Sequence, residues 1–279
     1  MKKEPAKTES FTKSYPVAPN SVYVWRGFKS ASMTYAQFAQ FLGGVFVPAC
    51  ALLQPPVGLR AYLPTMVPQD GKPLAIPDQT ALMFWATPPA PDLANQAIAV
   101  RIYQNLHGDA YDMTRSKLPE VPVALASAQG TLQAEQPYYL LDQPADWMLG
   151  GVHHLVGLRK PDLQPADFLT ASYAWAAAFQ AKPAQGVDAA LLCCGNDYAI
   201  AWVHSKQNRS TLGSALDGLA ALTVPVLRAA PRSLALRAGL WDVWPGLDLT
   251  KATCVNLQFH RPPGAKAVPH ERTKARGIK

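Results

Sequence analysis

The sequence predicts an α+β chain built of two tandem β-α-β-β-α-β units packed sheet to sheet. The stretch VYVWRGFKSASMTYAQF from Val22 lies without a gap on VHHLVGLRKPDLQPADF from Val152, an offset of 130 residues. Val22, Gly27, Ala36 and Phe38 recur there as Val152, Gly157, Ala166 and Phe168, where average usage gives about one chance identity. Short strand-like runs and helical periodicities then follow one another in the same order in both halves. With 49% hydrophobic and 16% charged residues, the 279-residue chain has apolar material for a sizeable core rather than a disordered coil.

In the first half, Val22 to Lys29 is β-rich. A helix is expected from about Tyr35 to Leu53, with Phe38, Phe41, Leu42, Val45 and Phe46 at helical spacing, Thr34 as N-cap and Pro48 ending or kinking it. Strands follow near Val57 to Leu63 and Thr80 to Thr87, then a helix in PPAPDLANQAIAVRIYQNL and strand candidates before Asp142. The second half reads as a strand at Val152 to Arg159, a helix at Pro165 to Gln180, and strands at Val187 to Cys193 and Tyr198 to Ser205. It closes with a helix at Thr211 to Ala229 and strands near Leu234 to Val243 and Thr253 to Phe259.

That order is the split βαβ, or ferredoxin-like, unit. Its helices cover one face of a four-stranded sheet, and an apolar second face must find other cover. A second copy in the same chain can supply what a partner subunit would otherwise supply. The expected division is a tail over 1–20, units over 21–150 and 151–260, and a basic tail over 261–279.

The net charge of +7 resides in the tails: +2 up to Pro16 and +5 from His260 onward, leaving the central region neutral. A nucleic-acid partner is therefore expected only through the basic C-terminal tail. Cys50, Cys193, Cys194 and Cys254 form no C-x-x-C pair and read as buried thiols, with no metal site. No apolar region follows the charged N-terminus and no run is long enough to span a bilayer, so a cytoplasmic location is expected.

The chain resembles the dimeric α+β barrel superfamily, especially its ABM-type and EthD-like members. The resemblance rests on the first strand and TYAQFAQFLGGVFVP, with Thr34, Gln37, Phe38 and Pro48 in similar places. It implies a barrel holding a small, often aromatic or haem-like ligand. Phe46 stands where many EthD-like helices place a His.

A ligand in such a barrel would meet the sheet faces turned from the helices. Alternation assigns Tyr198, Trp202 and His204 inward and Ala199, Ala201 and Val203 to the helices. Thr80, Phe84 and Ala86 point inward by the same logic, with Leu82 fitting either side. In the opening strands both faces are apolar: Val22, Val24, Arg26 and Phe28 oppose Tyr23 and Trp25, and Val152, His154, Val156 and Leu158 oppose His153 and Leu155. His204 is the candidate general base and Arg26 the candidate carboxylate anchor or oxyanion stabiliser. Tyr198, Trp202, Phe84 and His154 are the candidate ligand-binding residues. HGDAYD offers His107, Asp109 and Asp112 as loop groups within reach of a metal, and Trp241 and Trp244 could flank a loop closing one barrel end.

The leading functional expectation is an enzyme acting on a small apolar or aromatic molecule, of oxygenase, isomerase or dehydratase type. A chlorite-dismutase-like haem protein is the rival; it lacks a His in the expected helix from Thr211, so only His204 or His154 could ligate iron. No cofactor is otherwise implied. A non-catalytic assembly subunit, with apolar contact surfaces such as VPVALASA from Val121, and an RNA-binding protein of the tandem RNA-recognition or CRISPR type are the other classes. Walker, G-x-G-x-x-G, H-E-x-x-H and G-x-S-x-G motifs are all missing.

Overall fold

A computed structural model of the chain describes residues 16–54, 58–68, 75–85, 98–147, 150–206, 212–229, 232–237 and 255–260. The tails up to residue 15 and from 261, Ala86, Trp241, Trp244 and Cys254 lie outside the described residues.

The architecture is mixed α+β. The first half forms β1 (Val22–Gly27), α1 (Tyr35–Phe41), a π-helical turn (Leu42–Phe46), α2 (Val47–Leu53), β2 (Leu59–Met66), β3 (Gln79–Trp85), α3 (Ile98–Ala110) and β4 (Lys117–Glu120). Two short strands follow, β5 (Val123–Ala124) and β6 (Pro137–Tyr139). The second half forms β7 (Gly151–Arg159), α4 (Pro165–Ala181), β8 (Val187–Cys194), β9 (Tyr198–Ser205), the single turns α5 (Leu212–Ala215) and α6 (Asp217–Ala220), and β10 (Thr223–Ala229). β11 (Arg232–Arg237) and β12 (Val255–His260) complete the described chain. No helix among the described residues is long and apolar enough to cross a membrane.

Local chemistry explains the first helix. Thr34 accepts from the Gln37 backbone while the Gln37 side chain accepts from the Thr34 backbone, a capping box that starts α1. Pro48 has no N–H to donate, and the helix absorbs that loss by widening just before it: Val47 N–H donates to Leu42 O, five residues back. The proline therefore neither ends the helix nor interrupts its buried stripe, since Phe38, Leu42, Phe46 and Cys50 are all buried.

The strands form two six-stranded sheets, ordered β11-β12-β2-β3-β1-β4 and β10-β7-β9-β8-β6-β5. The antiparallel order β2-β3-β1-β4 in one sheet is matched by β8-β9-β7-β10 in the other. Each sheet is then widened by a parallel pair from the other half: β12 and β11 beyond β2, β6 and β5 beyond β8. Two residues ending in proline separate β4 from β5 (Pro122), and two more, ending in Pro231, separate β10 from β11.

One expectation is corrected at this point. The stretch from Thr211 to Ala229 is not one helix; after two single turns, TVPVLRA becomes β10. Its β-branched residues favour a strand, and Pro225 is tolerable because β10 is an edge strand needing partners on one side only. The strands expected to finish the second half, near Leu234 and Thr253, join the first half's sheet instead.

Three apolar layers hold the molecule. One lies between the first sheet and its helices and includes Trp25, Phe38, Phe46, Tyr62 and Tyr111. Another lies between the second sheet and α4 to α6 and includes Leu155, Phe168, Leu192, Ala201 and Leu219. The third lies between the sheets, where Val22, Val24, Leu63, Leu82 and Phe84 meet Val152, Val156, Leu191, Ile200 and Trp202.

Two glycines shared by the halves mark close approaches. A Cβ on Gly27 would come within 2.7 Å of Trp25 Nε1, and one on Gly157 within 2.6 Å of Thr223 Cβ. Gly44, in the π turn, has nothing within 4 Å. Gly157→Ala is expected to destabilise the protein by about 1–3 kcal/mol through overpacking, while Gly44→Ala is neutral or slightly stabilising through helix propensity. Urea unfolding of both variants checks this; equal stability of the two would contradict the packing described.

Candidate functional site

The layer between the sheets is mostly apolar, and three polar constellations stand out among the described residues. Strand β9 runs through all of them. Ala199, Ala201 and Val203 turn to the helices, while Tyr198, Ile200 and Trp202 turn to the other sheet. His204 follows the same parity. From Tyr198 to His204 the strand covers about 20 Å, so these two residues stand at opposite ends of the layer. In the opening strands, Val22, Val24 and Arg26 face inward with Val152, His154 and Val156, while Trp25 and Leu155 face the helices.

At the centre, the His154 ring lies flat on Trp202, with centroids 4.6 Å apart and planes 6° from parallel. Nδ1 is 2.9 Å from Ala201 O and Nε2 is 3.0 Å from Thr80 Oγ1. A carbonyl only accepts, so Nδ1–H donates to it and Nε2 accepts from the threonine across the sheets. Burial lowers the His154 pKa from 6.5 to about 4, against a smaller opposing effect of the bond to Ala201. Phe84 is buried beside Trp147, with centroids 5.7 Å apart.

At one end, the fully buried Arg26 side chain reaches across the layer from β1. It donates to Glu135 O and Glu120 Oε2, the latter at 2.7 Å, and lies against Cys193 Sγ. Tyr198 donates to Glu135 Oε2 at 2.6 Å. Burial alone would lower the Arg26 pKa, but the surrounding acidic groups outweigh it and hold the cation firmly. Burial pushes the Cys193 thiol up to about 12, despite the lowering effect of Arg26. Burial, with Cys193 and Glu135 nearby, also raises the Tyr198 phenol. Glu120 and Glu135 are about 40% exposed, with side-chain values of 41% and 36%. Arg26 thus anchors two carboxylates of its own chain.

At the other end, His204 is fully buried and its Nδ1 meets Asp188 Oδ1. Asp188 occupies a β-bulge in β8, between Val187 and Ala189, which re-aims its side chain toward His204. Gln143 Nε2 donates to the Asp188 carbonyl at 3.0 Å, and the Trp147 ring lies 5.5 Å from the imidazole. Trp147 also lines a shallow cleft, together with Val17, Pro19, Val22, Tyr139 and Leu141. Because a carboxylate accepts, Nδ1 carries the proton of a neutral His204 and Nε2 its basic lone pair.

The structure therefore brings Trp202, His154 and Phe84 into one central cluster, sets Arg26 with Tyr198 at one end, and His204 at the other. Glu120, Glu135 and Asp188 were not among the sequence candidates. Asp188 left one trace, a lone carboxylate opening the apolar run DAALLCC. His107 lies far from this layer, among Trp25, Phe46, Tyr103 and Tyr111, and no cluster of metal-ligating groups occurs among the described residues. A haem does not fit His154, both of whose nitrogens are engaged and whose ring is covered by Trp202.

The comparisons with known proteins add little to this geometry. No protein-family model and no curated protein matches the chain. A crystal structure from Fusobacterium nucleatum subsp. nucleatum, named "putative monooxygenase", is similar at a TM-score of 0.30 and 9% identity, over 78% of this chain and 91% of that one. A likeness of that size carries no argument about fold or reaction.

The buried neutral His154 makes stability depend on pH. Its folded pKa lies below its unfolded value of 6.5, so the unfolded chain binds more protons and stability falls as pH drops from 6.5 toward about 4. The loss attributable to this residue is roughly 3 kcal/mol. Urea unfolding at about pH 7 and about pH 4 should show a smaller difference in His154→Gln than in the wild type. Arg26→Met should cost roughly 1–3 kcal/mol, less than a fully buried pair because both glutamates can return to water; guanidinium unfolding measures it.

Proposed function

We propose that the protein is a small-molecule enzyme in which His204, oriented by Asp188, exchanges a proton with an apolar or aromatic substrate. One observation carries this reading: the buried histidines and tryptophan of this layer have apolar counterparts in the other half. Strand registers match Val22↔Phe84 with Val152↔His204, and Val24↔Leu82 with His154↔Trp202. Ala61 pairs with Phe84 as Ala189 pairs with His204, after a bulge that holds Arg60 in one strand and Asp188 in the other. The first half thus packs the layer with Phe84, Val24 and Leu82 where the second half uses His204, His154 and Trp202. The fold does not need an Asp–His pair there, and burying one costs desolvation. Chemistry is the reading that accounts for it, with Nδ1 held and Nε2 as the proton-exchanging atom.

The same registers support the finer reading of the fold, two ferredoxin-like units in tandem that cover each other as an intramolecular barrel. The resemblance to ABM-type and EthD-like barrels belongs to this proposal, as does the division near residue 150. Cofactor-independent oxygenase, isomerase and dehydratase reactions can each start with removal of a proton from an activated substrate, the step proposed for His204.

A second reading, a non-catalytic assembly subunit, has one observation in its favour: Val224 is 50% exposed on the edge strand β10. Two results separate the readings. For the enzyme, screening aromatic carbonyl and phenolic compounds should yield turnover that His204→Gln lowers by about 10²–10⁴ and Asp188→Asn lowers less, with melting temperatures close to wild type. Turnover unchanged in both variants, with a protein that elutes as an oligomer and dissociates on Val224→Asp, would leave the assembly reading in its place.

A further inference from the structure

The helices over the first sheet turn an uncharged side to solvent. No charged residue occurs between Lys29 and Arg60, a stretch where a composition of 16% charged residues would place about five. Most of that stretch is the helix that runs from α1 through the π turn into α2, and its exposed positions include Ala36, Gln37, Gln40, Gly44 and Val45. Beside it lies α3: Phe38 meets Tyr111 with ring centroids 5.3 Å apart, and Phe46 meets Tyr103 at 4.9 Å. Contacts that ascend one helix and descend the other make the pair antiparallel. In such a pair the residues just before a facing contact turn to the same side, about 100° round each helix. Here they are Val45 and Ile102, which are 43% and 52% exposed, so both lie over the outer groove between the helices. Ala49 and Leu106, one turn further on, are half-buried. The second half differs, since its helix α4 carries no exposed large hydrophobic side chain.

Surface hydrophobics scattered singly need no explanation, but two in one groove beside a helix without charge mark a contact surface. We infer that a second copy of this chain occupies the groove, in a two-fold dimer where α3 of each copy lies in the groove of the other, antiparallel to the α3 it meets. Charge selects this occupant. On the exposed side of α3, Arg101, Asn105 and Asp109 follow one another at four-residue spacing, and neither Arg101 nor Asp109 has an ion-pair partner among the described residues. The two charges stand about 12 Å apart along the helix. A two-fold axis beside Asn105 sets Arg101 of each copy opposite Asp109 of the partner subunit, with Val45 and Ile102 of both copies between the two ion pairs. The wall formed by α1 and the π turn brings no charge against the incoming helix. An apolar, charge-depleted centre with charged groups at its edge is the usual order of an interface, and a helix seated in a groove is a recurrent way to fill one. The groove lies on the helix side of the first sheet, so the dimer does not depend on what His204 does.

The test uses the full chain. Sedimentation equilibrium at about 150 mM salt should give twice the monomer mass. Val45→Glu and Ile102→Glu, both at exposed positions, should give monomers that melt as the wild type does. Arg101→Glu should weaken dimerisation at least about tenfold, and Arg101→Glu combined with Asp109→Arg should restore it, because the exchanged charges meet again across the axis. In a Cys254→Ser background, Asn105→Cys should form a covalent dimer on oxidation. Val224→Asp, on the second sheet, should leave the dimer whole. A wild type that stays monomeric at about 100 μM, a dimer untouched by Ile102→Glu, or a charge exchange that restores nothing overturns the proposal. A monomer that floats with phosphatidylcholine vesicles, and loses them on Ile102→Glu, overturns it in favour of a lipid surface.

Discussion

Everything in this molecule depends on the mutual burial of two sheet faces. Helices cover the outer face of each sheet, and among the described residues no helix reaches the inner one. An apolar inner face left in water would be a large adhesive patch, at about 25 cal/mol for each Å² that burial would remove. The second sheet is therefore the first sheet's core, and neither half has a complete interior alone. The exchanged parallel pairs reinforce this dependence, because β12 caps the β2 edge and β6 caps the β8 edge. Both edges would otherwise offer unpaired backbone groups to other chains.

That constraint gives meaning to the polar groups inside the layer. A layer whose task is mutual cover is best made of aliphatic and aromatic side chains, and at matched positions the first half supplies them. The second half instead buries His154, His204 and Trp202, and the first half buries Arg26 where the second has Val156. The two halves match in the order of four strands and differ in the chemistry of the layer between them. Each polar intruder meets its desolvation differently. Arg26 brings two carboxylates and a carbonyl, and His154 is held neutral by a threonine and a carbonyl. His204 has a carboxylate whose second oxygen remains unpaired.

Much of the framework was legible in the chain itself. The 130-residue offset places the N-cap Thr34 over the N-cap Gln164, so the two helices start at matching positions of the overlay. In β9 the inward face was readable because one set of alternating residues is small and the other large: Ala199, Ala201 and Val203 against Tyr198, Trp202 and His204. In β1 and β7 both faces are apolar, since sheets lie between two cores, and alternation carries no signal there. The β2 and β8 strands correspond at an offset of 128, not 130, judged by Ala61 and Ala189. A slip of two leaves the facing unchanged. The β10 strand was missed because its apolar spacing also fits a helix, and only Val224-Pro225-Val226 tells against one.

The site residues that escaped notice share a cause. Asp188 sits in a bulge, where the alternation rule fails for one residue, so period-two reasoning would send its carboxylate to the wrong side. Glu135 lies in a turn with φ of 69°, held there by bonds from its N–H to Cys194 O and from Arg26 to its carbonyl. Neither departure from regular geometry leaves a periodic mark, yet each delivers a carboxylate to an inward side chain of regular structure. Strand parity supplies Arg26, Tyr198, Trp202 and His204 cheaply, because the sheet must point half of its residues inward. Their partners must come from elsewhere, since a second regular strand facing them would present more side chains of the core. The irregular positions are thus where charge can enter a layer otherwise lined by apolar side chains.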